Sequence, residues 1–181
     1  VTDEVEKDAD GKVISYTAPD LSDVDLVIVG MRSPATGAVF GNSGLNAETG
    51  TYYPLSLQYR TYTADGANVR KVSISGDILA DGTKENRSYF GASVTPANEA
   101  DLDAMLRAAD AVDASGKDIP VIVALKATNA VIPAEFEARA DAILVSFGTS
   151  DAALFDIATG KHEPSGRLPI QFPANMDTVE A

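Results

Sequence analysis

The chain has 181 residues, 45% hydrophobic and 23% charged, which is enough apolar material for the core of one globular domain at an ordinary share of charge. With 14 Lys+Arg against 27 Asp+Glu and a net charge of -13, it lacks the clustered basic side chains that a phosphate backbone needs, so a nucleic-acid partner is disfavoured. It has no cysteine, which excludes disulfides and thiolate metal sites and leaves the compartment open: secreted, cell-surface or cytoplasmic in a bacterium.

No apolar run approaches the roughly 20 residues that cross a bilayer, and no basic n-region followed by an apolar h-region opens the chain. Val1 is not an initiator Met, which predicts processing or excision from a larger gene product.

Residues 1 to 20 are crowded with acids and read as an exposed arm, either a linker or a frayed terminus. Within it, Asp8-Ala9-Asp10-Gly11 is a turn signal ahead of the alternating segment Lys12 to Tyr16. From 21 to 181 a single α/β domain is expected. Asp25 to Gly30 is an apolar strand ending at a glycine, where α/β proteins place ligand sites. The connection that follows, about 31 to 96, is far longer than the usual two to six residues and is rich in Gly, Asn, Ser, Thr and Tyr. Gly37, Gly41, Gly44 and Gly50 match neither a dinucleotide fingerprint nor a phosphate loop and read as turns. Tyr52 to Tyr62 and the alternating Val72-Ser73-Ile74-Ser75-Gly76 suggest an inserted hairpin. Tyr52 and Tyr53 are suited either to stacking on sugar rings or to packing the insertion onto the domain.

Thr95-Pro96 should start a helix, with Leu102, Met105, Leu106, Ala109 and Val112 on its apolar face, Asp101, Asp103 and Asp110 toward water, and a stop near Gly116. Pro120 to Leu125 and Ala142 to Phe147 are continuous apolar runs, read as strands buried on both faces of a parallel sheet. Pro133 to Arg139 makes a short helix between them, Ser150 caps a third helix ending at Gly160, and Leu168 to Phe172 is a late strand kept short by flanking prolines. The expected fold is a three-layer αβα sandwich with a mostly parallel sheet and an inserted β-rich loop region.

Three stretches carry a family resemblance: Ala140-Asp141-Ala142-Ile143-Leu144-Val145, the helix after it, and Pro164-Ser165-Gly166-Arg167-Leu168-Pro169. Their order resembles the C-terminal α/β sandwich domain of family 3 glycoside hydrolases, the β-glucosidase group. Asp23 to Gly30 is similar to that family's "A-D-V-V-I-V-V-G" strand, and Val94-Thr95-Pro96 through Leu102 to its "L-x-L-P-x-x-Q-x-x-L" helix start, with Glu99 in place of the glutamine. The resemblance covers about residues 20 to 173, with about 31 to 84 matching poorly. It implies a missing earlier strand and a preceding barrel domain that carries the nucleophilic aspartate.

Retaining glycoside hydrolysis needs a nucleophilic carboxylate and a second carboxyl that protonates the leaving oxygen and later activates water. In the family the second comes from a sandwich-domain loop resembling "E-G-x-D-R". The counterpart here, Glu85-Asn86-Arg87-Ser88, makes Glu85 the candidate acid/base and Arg87 a group that binds sugar hydroxyls, orients the acid or forms a surface ion pair. Asn86 stands where the family has aspartate. Glu48, in Asn46-Ala47-Glu48-Thr49-Gly50, is the alternative; a solvated loop carboxylate is the plain reading of either.

The single histidine, His162, leaves little material for a metal cluster or a Ser-His-Asp site and is read as exposed. Ser165 lacks the context of a nucleophile elbow. No metal or cofactor is expected. The resemblance implies a β-linked glucoside or oligosaccharide as substrate and an isolated chain that does not turn over. A module that binds a glycan or a protein without catalysis is the alternative.

Overall fold

The computed structural model describes residues 4–11, 13–36, 44–46, 48 and 50–181. Of the turns expected at glycines, those at Gly37 and Gly41 lie outside these residues, as does Lys12. The chain forms two compact units, each drawn from three separate stretches: Val1–Met31, Asp101–Ala127 and Phe136–Arg167 in the first, Arg32–Ala100, Thr128–Glu135 and Leu168–Ala181 in the second.

The first unit opens with an antiparallel hairpin, β1 (Glu4–Lys7) and β2 (Val13–Thr17). Its turn forms where the Asp-Gly signal placed it: the Asp8 carboxylate and carbonyl take the N–H groups of Asp10 and Gly11, and Gly11 has φ +81°. The Tyr16 ring lies 5.4 Å from the Arg107 guanidinium and its hydroxyl donates to the Arg107 carbonyl, a cation–π contact.

A parallel sheet of three strands follows, in the order β3 (Val27–Arg32), β6 (Val121–Lys126), β7 (Ala142–Ser146). It is flanked by α1 (Glu99–Ser115) and α2 (Asp151–Ala158). The expected α/β class, with extra β structure in the long connection, is the one observed. In β6, Val121, Val123 and Leu125 are buried, and Ile122 and Ala124 half-buried. The expectation of burial on both faces fails for β7, whose first four residues are only half-buried. The reason is position: β7 is an edge of a three-stranded sheet, with β6 on one side only. β3 also runs two residues past Gly30.

Register between β6 and β7 pairs Ile122 with Ala142 and Lys126 with Ser146. It is fixed at its start by Asp141, whose carboxylate accepts the Val121 N–H at 2.8 Å while its own N–H donates to the Val121 carbonyl. In α1 the apolar stripe is buried at Leu102, Met105, Ala109 and Val112, and Gly116, at φ +66°, ends the helix. The helix begins at Glu99 rather than Pro96, and the Thr95 hydroxyl shares a hydrogen bond with the Thr61 hydroxyl instead of capping. Ser150 does cap α2, accepting the Ala153 N–H.

The second unit has little regular structure. Two-residue strands β4 (Tyr62–Thr63) and β5 (Ser93–Val94) pair antiparallel. Around them Leu57, Tyr62, Ala64, Val69, Val94, Ile132 and Met176 form a buried cluster. Met176 begins α3 (Met176–Glu180), a helix capped by Asn175 that the sequence reading does not contain. Glu180 at its end accepts hydrogen bonds from Tyr62 and Tyr89. Burial, reinforced by that carboxylate, raises both phenols, Tyr89 to about 12.

Three further expectations are corrected. Residues 168 to 172 form no strand; Pro169 and Pro173 remove donors, and Leu168 and Ile170 are exposed. Val72 to Gly76 is likewise irregular, because side chains take its backbone groups: Asn86 accepts the Ser73 N–H and the Ser73 hydroxyl donates to the Ser75 carbonyl. Its place is taken by an isolated bridge, Ile78 with Lys84. Pro133 to Arg139 forms two 3-10 turns, Pro133–Glu135 and Glu137–Arg139, separated at the buried Phe136.

Met176 is 3% exposed and its sulfur accepts the Leu57 N–H. Met176→Ala should therefore destabilise the second unit by about 2–5 kcal/mol, the usual cost of emptying a buried site of this size. Native-state hydrogen exchange at the Leu57 and Ile132 amides reads this directly; unchanged protection would mean that α3 is dispensable.

Candidate functional site

The stretch 77 to 87 closes on itself around Asp81-Gly82. Asp81 accepts the Thr83 N–H and hydroxyl, Gly82 has φ +83°, the Leu79 N–H donates to the Thr83 carbonyl at 2.8 Å, and the Glu85 N–H donates to the Asp77 carbonyl at 2.9 Å. That ladder sets Asp77, Glu85 and Arg87 side by side. Gly76 permits it: at φ +154°, any Cβ there would lie 2.1 Å from the Glu85 carbonyl oxygen.

Tyr52 arrives from earlier in the long connection, where it forms an isolated antiparallel bridge with Leu45. Its hydroxyl donates to Glu85 Oε1 at 2.5 Å. On the other carboxylate oxygen, Arg87 Nε donates to Oε2 at 2.7 Å and the Asp77 N–H at 3.3 Å. Arg87 also reaches the Asp77 carboxylate, Nη2 to Oδ2 at 2.7 Å. Glu85 and Arg87 are half-buried and Asp77 is exposed.

Three donors on one carboxylate stabilise its charged form. The Tyr52 hydroxyl first, then Arg87 and the Asp77 N–H, hold the Glu85 carboxyl down to about 2, from an ordinary value of 4.5. The same bond, with the charge behind it, raises the Tyr52 phenol. At neutral pH the site is a fixed carboxylate, a guanidinium and a protonated phenol, equipped to accept and donate hydrogen bonds to hydroxyl groups.

Of the sequence candidates, Glu85, Arg87 and Tyr52 are thus brought together. Tyr53 is exposed, with its N–H on the Gly44 carbonyl. Glu48 is exposed in an Asx turn, its N–H on the Asn46 side chain, and among the described residues no hydrogen bond joins it to the Glu85 cluster. Its neighbours Ala47 and Thr49 lie outside the described residues. Asp77 was missed; the Asp81-Gly82 turn signal, four residues beyond it and three before Glu85, was the local clue. His162 is exposed just past α2. Among the described residues, no group of three or more His, Asp or Glu is placed to hold a metal ion, and no helix is long and apolar enough to cross a membrane.

Comparison with known proteins adds a second line. Beta-glucosidase C of Emericella nidulans is 35% identical over 63 residues, 35% of this chain and 10% of that protein. A 63-residue stretch of this chain is thus similar to part of a beta-glucosidase. The probable beta-glucosidase C proteins of Aspergillus flavus and Aspergillus oryzae are each 32% identical, over the same shares of each chain. The match therefore spans about a tenth of the length of these relatives. No family model matches, and no solved structure does.

The site makes two predictions. Since Glu85 is held below its ordinary value, its contribution to the turn is complete above about pH 4.5 and is lost as pH falls toward about 2. The Glu85 amide, corrected for intrinsic exchange, should become less protected across that window without losing protection altogether, and in Glu85→Gln this acid-dependent decrease should vanish. Gly76→Ala should abolish the same protection at neutral pH, since both its φ and the Glu85 carbonyl exclude a side chain; a protected Glu85 amide in that variant would show that the turn closes in another way.

Proposed function

We propose that this chain is the α/β sandwich portion of a family 3 β-glucosidase-like enzyme and contributes one wall, with the acid/base loop, to a site completed by a barrel domain. The observation that carries this is the Glu85 carboxylate, pinned on both oxygens by Tyr52, Arg87 and the Asp77 N–H in the long connection after β3. The partial similarity to beta-glucosidase C supports the reaction class. In this reading Glu85 is the acid/base, Arg87 orients it, Tyr52 and Tyr53 form part of the sugar platform, and the substrate is a β-linked glucoside.

The ionised state of Glu85 suits the second half of a retaining reaction, in which a carboxylate takes a proton from the attacking water. Proton donation in the first half requires the carboxyl to be pushed up again. A sugar that covers it and a nucleophilic carboxylate facing it from the barrel domain both act in that direction.

A second reading, a carbohydrate-binding module without catalysis, is favoured by the same low value. A carboxylate that stays ionised beside a guanidinium recognises hydroxyl groups without moving protons.

The experiment is hydrolysis of an aryl β-glucoside by the full-length gene product and by its Glu85→Gln variant. The expected result is a fall in kcat of about 10²–10⁴-fold for the variant, the range of general acid–base contributions, with loss of the basic limb of the pH profile. The isolated chain should be inactive. Undiminished hydrolysis by Glu85→Gln would remove Glu85 from the chemistry, and tight oligosaccharide binding by the isolated chain without turnover would favour the module.

A further inference from the structure

The partners of Glu85 differ in one chemical respect. Arg87 and the Asp77 N–H can only donate, so both serve the carboxylate and neither can accept from a carboxylic acid. A phenol hydroxyl both donates and accepts. Tyr52 is placed on Oε1, opposite the oxygen that Arg87 and Asp77 hold.

We infer that Tyr52 is the positioning residue that keeps Glu85 in one place through a change of protonation state, its hydroxyl donating to Oε1 of the carboxylate and accepting from Oε1 of the acid. Only the O–H bond of Tyr52 has to rotate between the two arrangements; Oε2 stays on Arg87 and the Asp77 N–H throughout. The proton that Glu85 gains comes from solvent or from the attacking water, and the proton it gives goes to the leaving oxygen, so Tyr52 keeps its own.

The groups that face Glu85 are Tyr52, from earlier in the long connection, and Asp77 and Arg87 from its own turn. Of these, Tyr52 contributes most to holding the carboxyl down. Its removal has a sign that a packing role would not produce: Glu85 becomes a weaker acid while the turn survives. The coupling is also reciprocal, so Tyr52 must become a stronger acid when the Glu85 charge is removed.

The test is a carboxyl-carbon NMR titration of the chain with labelled glutamate, the Glu85 signal assigned by its absence in Glu85→Gln. In Tyr52→Phe, Glu85 should be at least about tenfold weaker as an acid than in the unsubstituted chain, with the Glu85 amide still protected from exchange. In Glu85→Gln the Tyr52 ring signals should titrate at lower pH than in the unsubstituted chain, a readout that does not depend on the folding of Tyr52→Phe. If neither titration moves, the inference is overturned.

The catalytic consequence rests on the reading of Glu85 as acid/base and fails separately. The basic limb of kcat/KM for the full-length enzyme should move up in Tyr52→Phe, because that limb reports the acid of the unliganded enzyme. A titration that moves beside an unmoved limb supports the role of Tyr52 and removes Glu85 from the reaction.

Discussion

Residues 50 to 96 place most of their backbone outside any strand ladder, and buried N–H and C=O groups must still find partners. Polar side chains supply them. The Glu135 carboxylate takes the N–H groups of Tyr59 and Arg60, at 2.5 and 2.9 Å. The buried Asn98 carboxamide accepts from the Ala35 N–H and donates to the carbonyls of Arg32 and Ser33. Asn86 bridges the Ser73 N–H and the Lys71 carbonyl. The second unit is therefore held by specific carboxylates and amides, and removal of Asn98 would leave the buried Ser33 carbonyl without that donor.

Glu85 follows the same rule. It takes the Asp77 N–H and so helps close the turn that displays it. In the proposed enzyme one carboxylate would have both a structural and a chemical task, and these pull its proton affinity in opposite directions. Donors stabilise the ion and secure the turn, whereas protonation of a leaving group needs a neutral acid. A partner that both donates and accepts reconciles the two demands, which is what a phenol on Oε1 offers and a second guanidinium would not.

The legible parts of the fold were those written in consecutive residues. Pro120 to Leu125 and Ala142 to Phe147 gave strands β6 and β7, Ser150 gave a cap, and Gly116 gave a helix end. Failures came where a distant side chain outbid a local pattern. Val72 to Gly76 alternates like a strand but gives its backbone to Asn86, and Thr95 has the chemistry of a cap but bonds to Thr61. For the candidate site, Glu85 and Arg87 stand two residues apart and their pairing could be anticipated. The approach of Tyr52, 33 positions earlier, has no local signature.

The buried cluster of the second unit draws on Leu57, Val94, Ile132 and Met176. On a ribosome these appear in that order, so Leu57 and Val94 are synthesised long before the methionine that covers them. The three-stranded sheet of the first unit is complete once Ser146 has been made. Vectorial synthesis thus imposes a sequence on assembly: the sheet can form early, while the unit bearing Glu85 waits, with apolar surface uncovered, for Met176 to emerge.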